Sequence, residues 1–216
     1  MYHYFEDRAF LRSMRSEAGS IMQELCHQLR VEHDIGANSC LVGSGARNLV
    51  TQNADKPIDL DCNLEIRRCA DFSDGKRLKD AVKDSFDRVL RKHGWLSAQD
   101  STSVLTAKKG LYHLGSPRFS IDVCITMVDE DGHYHRLIHE KTGFLCSDRW
   151  YWNKLPHSAR LPEKADYIRQ HGKWHLVREQ YLTIKNRYLT RNDHDHPSFV
   201  CYVEAVSNVY NGRMHW

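Results

Sequence analysis

The most constraining feature of this chain of 216 residues is the stretch from Cys40 to Ile66, CLVGSGARNLVTQNADKPIDLDCNLEI. Its second half alternates without a break: Ile58, Leu60, Cys62, Leu64 and Ile66 are apolar, and Asp59, Asp61, Asn63 and Glu65 between them are polar. A period of two predicts a half-buried strand, because successive side chains leave opposite faces of the backbone. Asp59 and Asp61 therefore share the polar face. Two carboxylates aimed at one small volume repel each other unless a proton or a cation lies between them, and hard divalent cations such as Mg2+ prefer carboxylate oxygens. Just upstream, Leu41 and Val42 form a short apolar run, and Gly43-Ser44-Gly45 marks a turn that leads into a brief helix start.

A second alternating stretch, RFSIDVCITMV, puts Phe119, Ile121, Val123, Ile125 and Met127 on one face and Ser120, Asp122, Cys124 and Thr126 on the other. If the two strands are neighbours, Asp122 joins Asp59 and Asp61. Three acidic groups over a Gly-Ser turn suit one or two Mg2+ ions together with a triphosphate, since the turn offers backbone N–H groups and a hydroxyl to phosphate.

The order Gly-Ser, Asp-x-Asp on a strand, then a single Asp on a later strand resembles the nucleotidyltransferase superfamily of DNA polymerase beta. That superfamily takes in poly(A) polymerases, oligoadenylate synthases, cyclic-dinucleotide synthases and the minimal nucleotidyltransferases. The segment GSGAR is similar to the GSxAR of the minimal members, with Asn48 standing where a Gly is common. The resemblance implies that Asp59 and Asp61 are catalytic metal ligands for Mg2+ or Mn2+. It also implies that Asp122 binds one ion and helps activate the attacking hydroxyl, and that Gly43 and Ser44 hold the outer phosphates of a nucleoside triphosphate. Template-independent members place a Lys on one helix and a Ser of a Pro-Ser-aromatic sequence on the next, both touching the triphosphate; YLTIKNRY and HPSFVCYVE offer Lys185 and Ser198. An ammonium neutralises phosphate as a point charge, and a helix start attracts anions. The blander readings are a solvated Lys and an N-cap Ser. The two residues occur in the expected order, which favours the functional one.

The fold implied is α+β: a nucleotidyltransferase-like mixed sheet with packed helices and a helical C-terminal part. Residues 1–130 would form the catalytic core and 131–216 a mainly helical part closing the nucleotide cleft. The reaction implied moves a nucleoside monophosphate from a nucleoside triphosphate to a hydroxyl acceptor with release of pyrophosphate. RNA, a protein side chain, a small molecule or a second nucleotide all satisfy the acceptor's chemistry. Two alternatives keep the acidic cluster: a non-catalytic nucleotide- or RNA-binding module of the toxin-antitoxin kind, and a metal-dependent phosphohydrolase. Neither accounts for Lys185, Ser198 and the Gly-Ser turn together.

The remaining sequence sets the frame. A net charge of +3 permits a nucleotide or RNA partner but is far from that of a nucleic-acid-coating protein. Seven cysteines, at 26, 40, 62, 69, 124, 146 and 201, include no CxxC pair, and several fall on apolar positions, so buried reduced thiols are expected. The first residues carry charge without an apolar core, and no run reaches the ~18 apolar residues of a membrane helix. The expected setting is a reducing cytoplasm with no membrane partner.

Leu11, Met14, Ala18, Ile21, Met22, Leu25 and Leu29 predict a long helix covering the sheet, and Leu78, Val82, Phe86, Val89 and Leu90 a second one ended near Gly94. QDSTSVLTAKK reads as one strand, with turns at Gly110 and Gly115-Ser116-Pro117. From Asp129 to Pro162 no period emerges. Tyr134, Trp150, Tyr151 and Trp152 read as packing rather than a base-stacking surface, and His133, His135 and His139 as solvent-facing rather than metal ligands. Trp174, Val177, Tyr181, Ile184 and Tyr188, then Phe199, Tyr202, Val203, Val206 and Tyr210, predict two C-terminal helices. Asp193-His194-Asp195-His196 between them reads as a polar loop.

Overall fold

The structure is a computed structural model and describes residues 1–54, 56–109, 118–143, 147–156, 160–191 and 198–216. Strand β1 (Tyr2–Tyr4) precedes helix α1 (Arg8–His33), which the Asp7 carboxylate caps by accepting from the Phe10 N–H. The helix stops where Asp34 turns left-handed (φ 53°), and its buried stripe is Leu11, Met14, Ala18, Ile21, Met22, Leu25 and Leu29. There follow β2 (Gly36–Leu41), the short helix α2 (Gly43–Arg47), β3 (Thr51–Asn53) and β4 (Ile58–Arg68). Helix α3 (Gly75–Lys92) leads to β5 (Gln99–Asp100), β6 (Leu105–Lys108), β7 (Phe119–Val128), β8 (Tyr134–Glu140) and β9 (Arg149–Lys154). Three helices end the chain, α4 (Leu161–Gln170), α5 (Trp174–Thr190) and α6 (Ser198–Asn211), with one 3-10 turn at Arg213–His215.

The main sheet is mixed. Its spine runs β2-β4-β7-β6-β5, and the β8-β9 hairpin joins the far end of β7. Among the described residues only the central β4–β7 pair is parallel; β2 on β4, and β6 and β8 on β7, are antiparallel. A separate two-stranded ribbon pairs β1 with β3.

Alternation decides what is buried. Ile58, Leu60, Cys62, Leu64 and Ile66 of β4 and Ile121, Val123 and Ile125 of β7 form one core with the stripes of α1 and α3, including Phe86, Val89 and Leu90. Each fully buried Leu, Ile or Phe contributes roughly 1.5–3 kcal/mol, so this layer fixes how the opposite, polar face is presented. A second core gathers Leu161, Ile168, Val177, Tyr181, Ile184, Tyr202 and Val206 of α4, α5 and α6 around Leu49. Among the described residues no helix is long and apolar enough to cross a membrane.

Three local outcomes differ from the sequence reading. The stretch from Gln99 to Lys109 is a tight hairpin rather than one strand, closed by Ser101 N–H donating to the Val104 carbonyl (3.0 Å). The region without a period carries β8 and β9, both part of the main sheet and both beyond residue 130. His139 is buried, 7% exposed, rather than solvent-facing. It stands between Asp100 Oδ2 (2.8 Å from Nδ1) and Asp148 Oδ2 (2.9 Å from Nε2) and stacks on Trp150, so burial strands neither ring nitrogen. Cys62, Cys124 and Cys201 are buried free thiols, whereas Cys40 is exposed. Cys146, the Gly110 and Gly115–Pro117 turns and the Asp193–His196 run lie outside the described residues.

Candidate active site

The parallel register of β4 and β7 aligns Asp61 with Asp122 and Asp59 with Ser120. All three aspartates therefore occupy one face of adjoining strands, and the Ser120 hydroxyl donates to Asp59 Oδ1. Burial raises the pKa of Asp61 to about 6; the neighbouring charges of Asp122 and Asp59 push the same way, and Arg47 and Arg136 oppose them. Asp122 is also raised, first by burial, with the Thr106 hydroxyl and Lys108 pulling back. Its Oδ1 is buried and has no hydrogen-bond partner among the described residues. An all-oxygen cluster of mutually repelling carboxylates, with one oxygen orphaned, has the donor chemistry of a hard divalent cation. The residues present fit Mg2+ or Mn2+.

The cluster is open rather than closed. Among the described residues, the one set of three whose ligand atoms all lie within 4.8 Å of one another is Asp129, Asp131 and His133, at the β7–β8 turn. There Asp129 accepts from the His133 backbone N–H (2.7 Å) and lies 2.8 Å from His135 Nε2, so its carboxylate closes the hairpin. That set is separate from Asp59, Asp61 and Asp122.

Gly43 and Ser44 begin α2 directly against the aspartates. Gly43 has φ +63°, and a Cβ there would fall 2.0 Å from Asp61 Oδ2, so no side chain is tolerated. Gly45 is similarly confined, its Cβ position lying 2.9 Å from Leu60 Cδ2. Asn48 takes the left-handed conformation, φ 59° and ψ 39°, at the end of α2. Asn is the side chain that adopts this backbone most readily after Gly, which accounts for its standing at a Gly position.

Lys185 of α5 reaches the same cleft. Its Nζ donates to Thr51 Oγ1 (2.9 Å) and lies 4.1 Å from the Tyr2 ring centroid. Burial lowers its pKa, while the charges of Cys201, Asp59 and Asp61 act to raise it. Ser198 is the first residue of α6, is exposed, and bonds the Tyr181 hydroxyl, which burial pushes up to about 12. Tyr181 thus touches both residues, since its ring lies 5.4 Å from Lys185 Nζ.

Four further residues stand around the aspartates, and three of them, Arg136, Thr106 and Lys108, carried no sequence signal of their own. Arg47 lies inside the GSGAR segment, acts on Asp61, and stacks over Tyr202 at 4.5 Å. Arg136, on β8, also acts on Asp61 and hydrogen-bonds Cys124; its Nε is buried without a partner among the described residues. Thr106 and Lys108 come from β6.

No family model and no curated protein matches the chain. Solved structures do. The chain is similar to CdnC of E. coli MS115-1 bound to ATP: TM-score 0.59, 14% identity, over 95% of this chain and 61% of that one. It is similar to the Vibrio cholerae DncV cyclic AMP-GMP synthase with its linear intermediate pppA(3',5')pG: TM-score 0.54, 13% identity, over 83% and 60%. It is also similar to the CD-NTase CdnG of Bradyrhizobium diazoefficiens with GTP: TM-score 0.55, 12% identity, over 90% and 65%. At such identities the likeness is one of fold, and the chain spans roughly three fifths of the length of these neighbours. The fold is the nucleotidyltransferase-like α+β one, mixed sheet and helices included.

Proposed function

We propose that the protein is a metal-dependent nucleotidyltransferase that transfers a nucleoside monophosphate from a nucleoside triphosphate to a hydroxyl acceptor. The observation that carries this reading is the β4–β7 register, which sets Asp61 against Asp122 on the face where Gly43 meets Asp61. Bound ATP and GTP in the similar structures support a triphosphate substrate, and the linear intermediate in one of them favours a second nucleotide as acceptor. In this reading residues 1–130, joined by the β8–β9 hairpin, form the catalytic core, and the helices α4 to α6 within 131–216 form the part that closes over the nucleotide.

Asp59, Asp61 and Asp122 would hold Mg2+ or Mn2+. Such an ion, when bound, neutralises phosphate charge and lowers the pKa of a coordinated hydroxyl. The chain's own residues do the rest. Gly43 N–H and the Ser44 hydroxyl hold the outer phosphates from the α2 side, and Lys185 and Ser198 hold them from α5 and α6. Asp122 accepts the proton of the attacking hydroxyl on its carboxylate. The acceptor oxygen bonds the α-phosphorus as the bond to the bridging oxygen breaks, and pyrophosphate leaves. Positioning and charge neutralisation supply most of the rate.

The test is pyrophosphate release and label incorporation from the four alpha-labelled ribonucleoside triphosphates with Mg2+ or Mn2+, comparing wild type with Asp61→Asn. Nucleotides, total RNA and a protein extract serve as acceptors. The variant is expected to lose at least roughly 10³-fold in turnover while unfolding at a thermal midpoint no lower than that of wild type; unchanged turnover would remove Asp61 from the mechanism. Release of inorganic phosphate without a transfer product would assign a phosphohydrolase instead.

A further inference from the structure

Strand β1 lies between β3 and α5, and its Tyr2 end meets α5 at Lys185 and Asn186. Tyr2 and Tyr4 pair with Asn53 and Thr51. Asn186, the residue after Lys185, clamps the Tyr2 backbone from both sides, accepting from its N–H (2.7 Å) and donating to its carbonyl (3.0 Å). One turn or more away on α5, the Tyr4 hydroxyl donates to the Arg178 carbonyl (2.7 Å), and the Arg178 guanidinium lies 3.9 Å from the Tyr4 ring centroid. The Lys185 ammonium is therefore held by the Thr51 hydroxyl and by the half-buried Tyr2 ring at 4.1 Å, with the Tyr181 ring farther off at 5.4 Å.

A flexible four-carbon stem carrying a compact charge loses much rotamer freedom when it must meet a phosphate at one place. Holding the ammonium beforehand removes that cost from binding. An aromatic face can hold it without neutralising it, unlike a carboxylate, and an ammonium with three donors keeps one for a phosphate oxygen after meeting Thr51 and the ring.

We propose that Tyr2 is a positioning residue for the triphosphate: its ring, locked to α5 through Asn186, holds the Lys185 ammonium in the place where it meets the outer phosphates. This rests on Lys185 being a triphosphate ligand, as argued above. The role belongs to the ring face and not to the hydroxyl, so Phe serves and an aliphatic side chain does not.

The experiment measures the affinity of ATP and AMP by calorimetric titration of wild type, Tyr2→Phe, Tyr2→Leu, Lys185→Ala and the Tyr2→Leu/Lys185→Ala double variant, each checked by its thermal midpoint. Should ATP bind poorly, the tightest of the other three triphosphates and its monophosphate replace the pair. Tyr2→Leu is expected to weaken triphosphate binding about five-fold, the order a partly desolvated cation–π contact supports. Monophosphate binding stays at the wild-type level, Tyr2→Phe matches wild type, and Tyr2→Leu adds nothing to Lys185→Ala. If Tyr2→Leu does not fold, Asn186→Ala, which releases the clamp and leaves both core clusters intact, is expected to give the same triphosphate-selective loss. Lys185→Ala weakening the triphosphate while Tyr2→Leu or Asn186→Ala does not would overturn the positioning role alone. Equal losses for triphosphate and monophosphate would reduce Tyr2 to a structural residue. If Lys185→Ala itself binds ATP like wild type, the assignment of Lys185 falls, and the role of Tyr2 falls with it.

Discussion

At the scale of single residues, Asp61 carries the sharpest consequences. Its pKa in the folded protein, about 6, lies above its ordinary value of 3.8. The native state therefore keeps a proton that the unfolded chain releases, and the resulting stability is full below pH 3.8 and lost as the pH rises through about 6. Asp61→Asn should accordingly be more stable than wild type at pH 8, on the order of 1–2 kcal/mol for a partly screened site. That advantage should vanish as the pH falls below about 4, near the ordinary carboxylate range. Thermal midpoints between pH 4 and 8 check both the sign and the window. Because a metal binds the ionised carboxylates, millimolar Mg2+ should raise the wild-type midpoint at pH 7.5 and leave Asp61→Asn unmoved. Gly43 is the second residue of consequence. Gly43→Ala must place a methyl group 2.0 Å from Asp61 Oδ2 at φ +63°, so α2 or the carboxylate has to move. About 1–2 kcal/mol of stability and at least roughly ten-fold in turnover should be lost, measured by urea unfolding and by initial rates.

At the scale of elements, the interest lies where β5, β8 and α3 are tied together behind the site. Lys79 of α3 is buried, 3% exposed, and its Nζ lies 2.6 Å from Asp100 Oδ1 of β5. Asp100 in turn holds His139 of β8. Burial lowers the pKa of Lys79 and the Asp100 carboxylate raises it again, so the pair is kept by mutual compensation rather than by either group's comfort in the core. Lys79→Met should cost roughly 1–3 kcal/mol, because it strips the ammonium from a half-buried carboxylate and leaves His139 as its remaining side-chain partner among the described residues. Adding Asp100→Asn should recover part of that loss, and a double-mutant cycle in urea unfolding reads the coupling. Neither substitution touches the aspartate face, so the pyrophosphate assay should respond to them only through the folded fraction.

At the scale of the whole molecule, two cores meet along one short passage of chain. Leu49 packs among the helices of the C-terminal part and Val50, its neighbour, among the sheet residues. Around that passage Trp174 Nε1 donates to the Arg47 carbonyl (3.2 Å) and Arg178 donates to the Asn48 carbonyl. The end of α2 is thus held to α5, which carries Lys185. Leu49→Ala should cost about 2–5 kcal/mol and also raise the dissociation constant for triphosphate, since it loosens the side bearing Lys185 and Ser198 from the side bearing the aspartates. Urea unfolding and nucleotide titration on the same variant separate the two effects.

Faces were legible from residue order alone. The period of two over 58–66 and 119–127 assigns Asp59, Asp61 and Asp122 to polar strand faces, and the three- and four-residue steps of α1, α3 and α5 assign their buried stripes, because these depend only on local backbone geometry; on α6 the expected Tyr202 and Val206 are buried, but Phe199 is exposed and Cys201, Ala205 and Val209 complete the stripe. The β8–β9 hairpin escaped notice because its burial rests on His139 being satisfied by Asp100 and Asp148, two residues that no local pattern joins to it. Tyr2, Thr51 and Arg136 escaped for the same reason; Lys185 meets Thr51 across 134 positions of chain. Residue order thus sets the faces of β4, β7 and the long helices, where the local period is unbroken. That β4 and β7 are parallel neighbours, and which cations stand beside the three carboxylates, follows from the assembled fold, because charge interactions and steric limits depend on distance in space rather than on separation along the chain.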